Sequence, residues 1–327
     1  MRDERCQPTR YQRGLRHGRL ARVTHMSEGS HSLARTLLVL GRASNLPTVW
    51  SNCLAGWALA GGVPFTTDFR LMIDAPSRFL ILCVGASLMY IGGMYLNDAF
   101  DADFDRQHRR ERPIPSGAIR VGTVWQLGFV WLIAGLACMF WLGEKNQTTS
   151  IFAVVLAGTI LLYDAVHKAF TLSPILMAGC RLLLVLMAAS AGRLGVTGLS
   201  IWAAIVLAIY VLGLSYLARN ESLPGGLRYW PCLFLAAPVV LSTIVNRAEW
   251  KLQGWVLSGT VIVWILHALR SAYWSAEKNI GRAVTGLLAG IVLVDLLSVA
   301  GAPPQLAILF GALFALTVVF QRFVPAT

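Results

Sequence analysis

Residues 79–117 read FLILCVGASLMYIGGMYLNDAFDADFDRQHRRERPIPSG, placing an apolar run, an array of acids and a block of arginines in one stretch. The run carries no charge before Asp98. At 1.5 Å per residue, that aspartate follows about 30 Å of helical rise, the thickness of a bilayer's hydrocarbon. The acids therefore stand where a membrane span reaches water. At the midplane each charge would cost at least ~2.5–3.5 kcal/mol. Asn97, Asp98, Asp101 and Asp105 form an N-D-x-x-D-x-x-x-D array, with Asp103 as an extra acid. Spaced i, i+3 and i+7, Asp98, Asp101 and Asp105 share one helical face, where like charges repel. A hard divalent cation relieves that repulsion. Mg2+ accepts a few carboxylate oxygens and completes its octahedron with water and substrate phosphate.

The rest of the chain repeats the apolar theme. Hydrophobic residues make up 56% and charged residues 13% of the 327, against roughly 45–50% and 25% in soluble domains. Apolar blocks run 46–62, 79–99, 121–142, 148–164, 172–192, 200–218, 231–246, 252–272, 281–300 and 304–323. This predicts an all-α, polytopic transmembrane helical bundle of nine or ten spans, with 231–246 or 281–300 as the re-entrant or interfacial candidates. The short loops argue for one membrane domain over 35–327. Residues 1–34 are polar and arginine-rich, with Met26 as an alternative start. The first thirty lack the apolar core of a signal peptide, so they are expected to form a disordered basic tail.

The net charge of +12 resembles a nucleic-acid signature until its position is read. No basic face interleaves with aromatics, so no nucleic acid is expected. Lys and Arg on the N-terminal side of the spans number 21 against 6 on the other, with Arg181 alone inside a span. By the positive-inside rule the N-terminus and the 100–120 loop face the cytoplasm, in an inner-membrane location. The six cysteines include no C-x-x-C pair and read as small apolar residues. Arg181 lies deep enough to need a partner. A diphosphate oxygen suits its bidentate guanidinium, as does a structural ion pair with Asp295.

The array with its following Arg112-Pro113-Ile114-Pro115-Ser116-Gly117 resembles the first signature of the UbiA superfamily of membrane prenyltransferases, N-D-x-x-D-x-x-x-D followed by R-P-[IL]-P-S-G. Arg42 with Asn45-Leu46-Pro47-Thr48 is similar to that family's R-x-x-x-x-P, and Tyr163 to the tyrosine of its Y-P-x-x-K-R. The finer markers GGMYLND, YDAVHK and YLARNE are closest to the EboC-like subgroup, a branch linked to moving a metabolite across the inner membrane. The chain also departs from the family. Asp164 replaces the proline of the fourth-helix motif, and His167-Lys168 replaces Lys-Arg. The second acidic motif keeps only Glu221, beside Asn220.

The resemblance implies helices around a cavity open to lipid, with a cytoplasmic active site where Mg2+ holds an isoprenyl diphosphate. Metal ligands would be Asn97, Asp98, Asp101, Asp105 and Glu221. Asp164 is itself a departure from the family, but its place at a cytoplasmic helix end suits it to supply the charge that the second motif lacks. Arg42, Asn45, Arg112, Ser116, Arg181 and Arg219 would bind substrate. Lys168, Arg112 and Arg181 would neutralise the charge that develops as the allylic C–O bond breaks, and Tyr163 would seat the leaving group. The acceptor is not readable. The alternative is a non-catalytic relative that binds or moves a metabolite alongside partner proteins of its pathway.

Overall fold

In a computed structural model of the chain, residues 33–61, 69–144, 147–168, 170–219, 229–245, 251–275, 277–301 and 303–325 are described, without the side chains of 69–75 and 245. They form twelve α-helices and one 3-10 turn (Ala43–Asn45), with no strand among them. The helices are α1 (Leu33–Leu40), α2 (Leu46–Leu59), α3 (Phe69–Phe100), α4 (Ala102–His108), α5 (Val121–Leu142) and α6 (Gln147–Val166). There follow α7 (Ser173–Ser190), α8 (Gly198–Arg219), α9 (Pro231–Val245), α10 (Lys251–Tyr273), α11 (Ile280–Ser298) and α12 (Pro304–Phe323). Residues 1–32, most of the expected tail, lie outside the described residues, as do Asn220 and Glu221.

Each of the ten apolar blocks has its helix. Eight are long and apolar enough to cross a membrane: α3 from Pro76, then α5, α6, α7, α8, α10, α11 and α12. With 14 and 15 residues, α2 and α9 rise only about 21–23 Å, short of the hydrocarbon thickness. Helix α9 also carries Pro238, whose missing N–H breaks the internal ladder. Sequential helices are mostly neighbours, and α2 packs against α3, α7, α11 and α12. One core lies among α7, α8, α9, α10 and α11. A second lies among α2, α3, α5, α6 and α7.

Three local features place the acid array. The first is a close seam between α3 and α5. A Cβ on Gly92 would lie 2.8 Å from the Gly128 carbonyl oxygen, and one on Gly135 would lie 2.7 Å from that of Gly85. Both sides of the seam are glycines seven residues apart, so the backbones approach as small-residue membrane pairs do. The second is continuity past the end of the span. Asp101 N–H donates to Asn97 O at 3.0 Å and Asp105 N–H to Asp101 O at 2.9 Å, so the i→i−4 ladder runs from α3 into α4. The third is a compact return. After Arg109, Pro113 and Pro115 prevent further helix, Ser116 N–H donates to Arg112 O at 3.0 Å, and Gly117 takes φ 79°. Ile114 is buried beside Leu40, Tyr95 and Ala99, which pins this return against the bundle.

Candidate functional site

Asp98, Asp101 and Asp105 are all buried on one face of the α3–α4 helix. Asp103 points away, with its side chain 89% exposed against 3% for Asp105, and pairs with Arg106. Basic groups from three other segments meet the buried carboxylates. Arg112 Nη1 lies 2.9 Å from Asp105 Oδ2 and 3.4 Å from Asp98 Oδ1. Arg42 Nη2 lies 3.7 Å from Asp98 Oδ1 and donates to Asn97 Oδ1 at 3.5 Å. Lys168 Nζ lies 2.7 Å from Asp101 Oδ1, and His167 Nε2 approaches the same oxygen at 3.3 Å. Lys168 also lies 3.8 Å above the centroid of the Phe104 ring, a cation–π contact that fixes its direction.

Backbone geometry is specialised at the same place. Arg42 adopts φ 42°, ψ 49°, left-handed values that disfavour any residue with a Cβ. It is alone in this among the described non-glycine residues. The conformation turns α1 into the 3-10 turn before α2 and carries the guanidinium to Asp98. Such outliers persist where surrounding structure over-determines them.

The charges tune one another. Burial pushes the Asp101 carboxyl up, but hydrogen bonds from His167 and Lys168 outweigh it and hold the acid below its usual range. For His167, burial favours the neutral ring, yet the bond to Asp101 prevails and raises its pKa. Burial lowers the Arg42 pKa, while Asp98 and its neighbours raise it further, leaving a fixed cation.

Asp164, on the last turn of α6, is buried against the array. Its Oδ1 accepts from Asn97 Nδ2 at 3.1 Å, while Oδ2 has no hydrogen-bond partner among the described residues. Tyr163, one residue earlier, stacks on His167 with ring centroids 5.1 Å apart.

The structure separates other anticipated residues from this cluster. Arg181 sits midway along α7, where Nη1 donates to Asn52 Oδ1 at 2.6 Å and Nη2 to Thr48 Oγ1 at 3.1 Å. The expected Arg181–Asp295 ion pair is not direct, because Asn52 stands between them. Asn52 Nδ2 donates to Asp295 Oδ2 at 2.6 Å, and Ser51 Oγ donates to the same oxygen. Asn45 donates to Tyr90 Oη at 3.3 Å, and the Tyr90 ring lies 5.9 Å from the Arg181 guanidinium carbon. Asn45 therefore stands at the head of a buried polar ladder leading into the bundle. Arg219 is spent on the α6–α7 connection, donating to the carbonyls of Phe170 and Thr171, both at 3.0 Å. Ser116 is exposed and donates to Pro113 O at 3.2 Å. Asn52 and Tyr90 were not anticipated, and Thr48 entered only as the end of the Asn45-Leu46-Pro47-Thr48 stretch. The one signal for Asn52 was a Ser-Asn pair inside an otherwise apolar block.

The site is rich in oxygen donors of the kind that Mg2+ takes. Carboxylate and amide oxygens are the hard ligands that ion prefers, and Asp164 Oδ2 is a buried oxygen with no partner among the described residues. The residues present fit the ion chemically. Their present arrangement is dispersed: among the described residues, no three His, Cys, Asp or Glu side chains converge enough to hold one ion.

Known proteins resemble this chain in sequence and in fold. A stretch of 117 residues is 30% identical to 4-hydroxybenzoate octaprenyltransferase of Burkholderia mallei, covering 35% of this chain and 37% of the relative. Another of 89 residues is 35% identical to digeranylgeranylglyceryl phosphate synthase of Sulfolobus acidocaldarius, covering 27% of this chain and 30% of the relative. The matched stretches thus span about a third of each curated relative. In fold, the chain is similar to a UbiA homolog from Archaeoglobus fulgidus solved with GPP and Mg2+, with TM-score 0.56 and 15% identity over 87% of this chain and 99% of that one. It is also similar to a solved digeranylgeranylglyceryl phosphate synthase, with TM-score 0.52 and 17% identity over 88% and 98% of the two chains. The UbiA prenyltransferase family model matches residues 49–284, more than half of the chain. This multi-pass membrane protein belongs to the UbiA prenyltransferase family.

Proposed function

We propose that the chain transfers a prenyl group from an isoprenyl diphosphate to an acceptor, at a site on the cytoplasmic face of an inner membrane. The observation that carries this reading is the face shared by Asp98, Asp101 and Asp105. All three are buried at the end of a span, and each faces a cation that phosphate also attracts. Asn97, Asp98, Asp101 and Asp105 would hold Mg2+. When bound, the ion neutralises diphosphate charge and stabilises the leaving group. Arg42, Arg112 and Lys168 turn from carboxylate to phosphate oxygens and orient the diphosphate, Arg112 through the bidentate fork of its guanidinium. Tyr163, half-buried beside His167, flanks the same end. The apolar interior of the bundle keeps water from the developing allylic cation until the acceptor captures it. The deep ladder around Arg181 supports the α2–α7 wall of that interior.

A purified-protein assay for Mg2+-dependent release of diphosphate from labelled prenyl diphosphates tests this. Asp101→Ala is expected to abolish release, whereas Asp103→Ala, off the shared face, should leave it within about twofold of the parent, as for surface changes generally. Equal behaviour of the two variants would remove the basis of the reading. A metabolite-binding role without catalysis is favoured by one feature, the lack of any acid in Gly198–Arg219. It would appear as metal-dependent prenyl diphosphate binding with no release.

A further inference from the structure

Among the described residues the three carboxylates of the array do not converge on one point. Asp98 Oδ1 and Asp105 Oδ2 share Arg112 Nη1, at 3.4 and 2.9 Å, while Asp101 Oδ1 pairs with Lys168 Nζ at 2.7 Å. Oxygens bound to one Mg2+ lie within roughly 4 Å of one another, given metal–oxygen distances of 2.0–2.1 Å. An octahedral ion also needs ligands from more than one direction, and a single helical face supplies one direction only. A carboxylate on a second helix, facing the array, would complete such a site.

Asp164 has that position. It lies on α6, is 3% exposed, and joins the array through Asn97, which donates Nδ2 to its Oδ1 at 3.1 Å. Asn97 Oδ1 meanwhile faces Arg42 at 3.5 Å, so the amide stands between a carboxylate and a guanidinium. Asp164 Oδ2 is buried without a hydrogen-bond partner among the described residues. Buried polar atoms are otherwise nearly always paired, so an unpaired carboxylate oxygen marks a place for a cation or a donor from outside the chain. The described part of α8 contributes no acid that would compete for this role.

We propose that Asp164 is a metal-ligating residue, holding a divalent cation through its unpartnered Oδ2 so that the site draws oxygen ligands from α6 as well as from the α3–α4 array. This rests on the diphosphate reading above. Asp164 would be its second point of attachment, opposite the face formed by Asp98, Asp101 and Asp105.

The test uses the full chain in detergent, with Mn2+ as a paramagnetic stand-in read by electron spin resonance in the presence of inorganic diphosphate. Asp164→Asn keeps the shape and the bond to Asn97 while removing the charge. It is expected to weaken Mn2+ binding by about tenfold or more, the scale of losses at metal sites, with metal-free thermal unfolding unchanged. Asp101→Asn serves as the reference. If both variants lose Mn2+, the proposal stands. If Asp101→Asn loses it and Asp164→Asn does not, Asp164 is a packing residue and the diphosphate reading survives without it. If neither variant differs from the parent, both readings fall.

Discussion

Arg42 joins two effects at one residue. Its left-handed backbone costs about 1–2 kcal/mol relative to glycine, while its guanidinium meets Asp98 and Asn97. Arg42→Gly removes the strain and the charge together, and Asp98 keeps Arg112 at 3.4 Å. The variant should therefore unfold within about 1 kcal/mol of the parent, and Arg42→Ala should unfold earlier than Arg42→Gly by about the strain energy. Both should bind prenyl diphosphate at least about tenfold more weakly, since a charge-assisted bond contributes about 1.5–3 kcal/mol. Thermal unfolding and ligand titration check the two halves separately. This residue also marks how far the sequence could be read. The shared face of Asp98, Asp101 and Asp105 follows from helical period alone, and Arg112 follows from its nearness in the chain. The approach of Lys168 and His167 to Asp101 depends on how α6 leans against α3. No local pattern carries that angle.

The α3–α5 seam sets where the array stands. A Cβ at Gly92 would meet backbone atoms, the Gly128 oxygen and the Leu132 nitrogen, each at 2.8 Å, and backbone cannot swing aside as a side chain can. Gly92→Ala is expected to destabilise the protein by about 1–3 kcal/mol, the range for overpacking. Gly158, on the outer face of α6, has open space around it. There an alanine should raise stability by about 0.5–1 kcal/mol through backbone entropy. Opposite shifts in unfolding temperature would establish that close approach decides the difference, since both glycines lie in mid-helix. At this scale the sequence was legible wherever apolar runs had clean ends, as at Val121–Leu142. Helix α3 begins ten residues before the apolar run at 79, because Arg70, Asp74 and Arg78 interrupt hydropathy without interrupting the helix. Beyond the hydrocarbon a helix continues in water with charged residues, so hydropathy marks the bilayer's edge and not the helix's end.

Across the whole molecule, the basic residues sort by end. Arg106, Arg109, Arg110, Arg112, Arg120, Lys168, Arg219, Arg270, Lys278, Arg282 and Arg322 belong to one end of the alternating helices, and Arg78, Arg193 and Lys251 to the other. The spans between them expose Leu80, Val130, Ile133, Ile151, Val263 and Ile308, apolar surface suited to acyl chains. A periplasm-active reporter fused after Arg120 should be silent, and one fused after Arg193 should be active. The reverse pattern would place the acid array outside, away from a cytoplasmic supply of diphosphate. The bundle itself was legible because long apolar runs admit few other structures. The ladder through Asn52 was not, because its members come from α2, α3, α7 and α11, and only the closed bundle brings them together.

That ladder has a consequence for how the protein is made. Asp295 is 244 residues from Ser51 and 243 from Asn52. At ordinary synthesis rates of about 5–20 residues per second, the acid emerges roughly 12–50 s after its partners. Arg181, 129 residues after Asn52, arrives between them and docks on the amide first. The α2–α7 pair then offers the ready-made donors, Ser51 Oγ and Asn52 Nδ2, that let α11 enter lipid with a carboxylate aboard. A nascent chain halted before α11 would hold Ser51 and the Asn52 amide without the carboxylate they were built to receive, an unfinished state open to quality-control proteases.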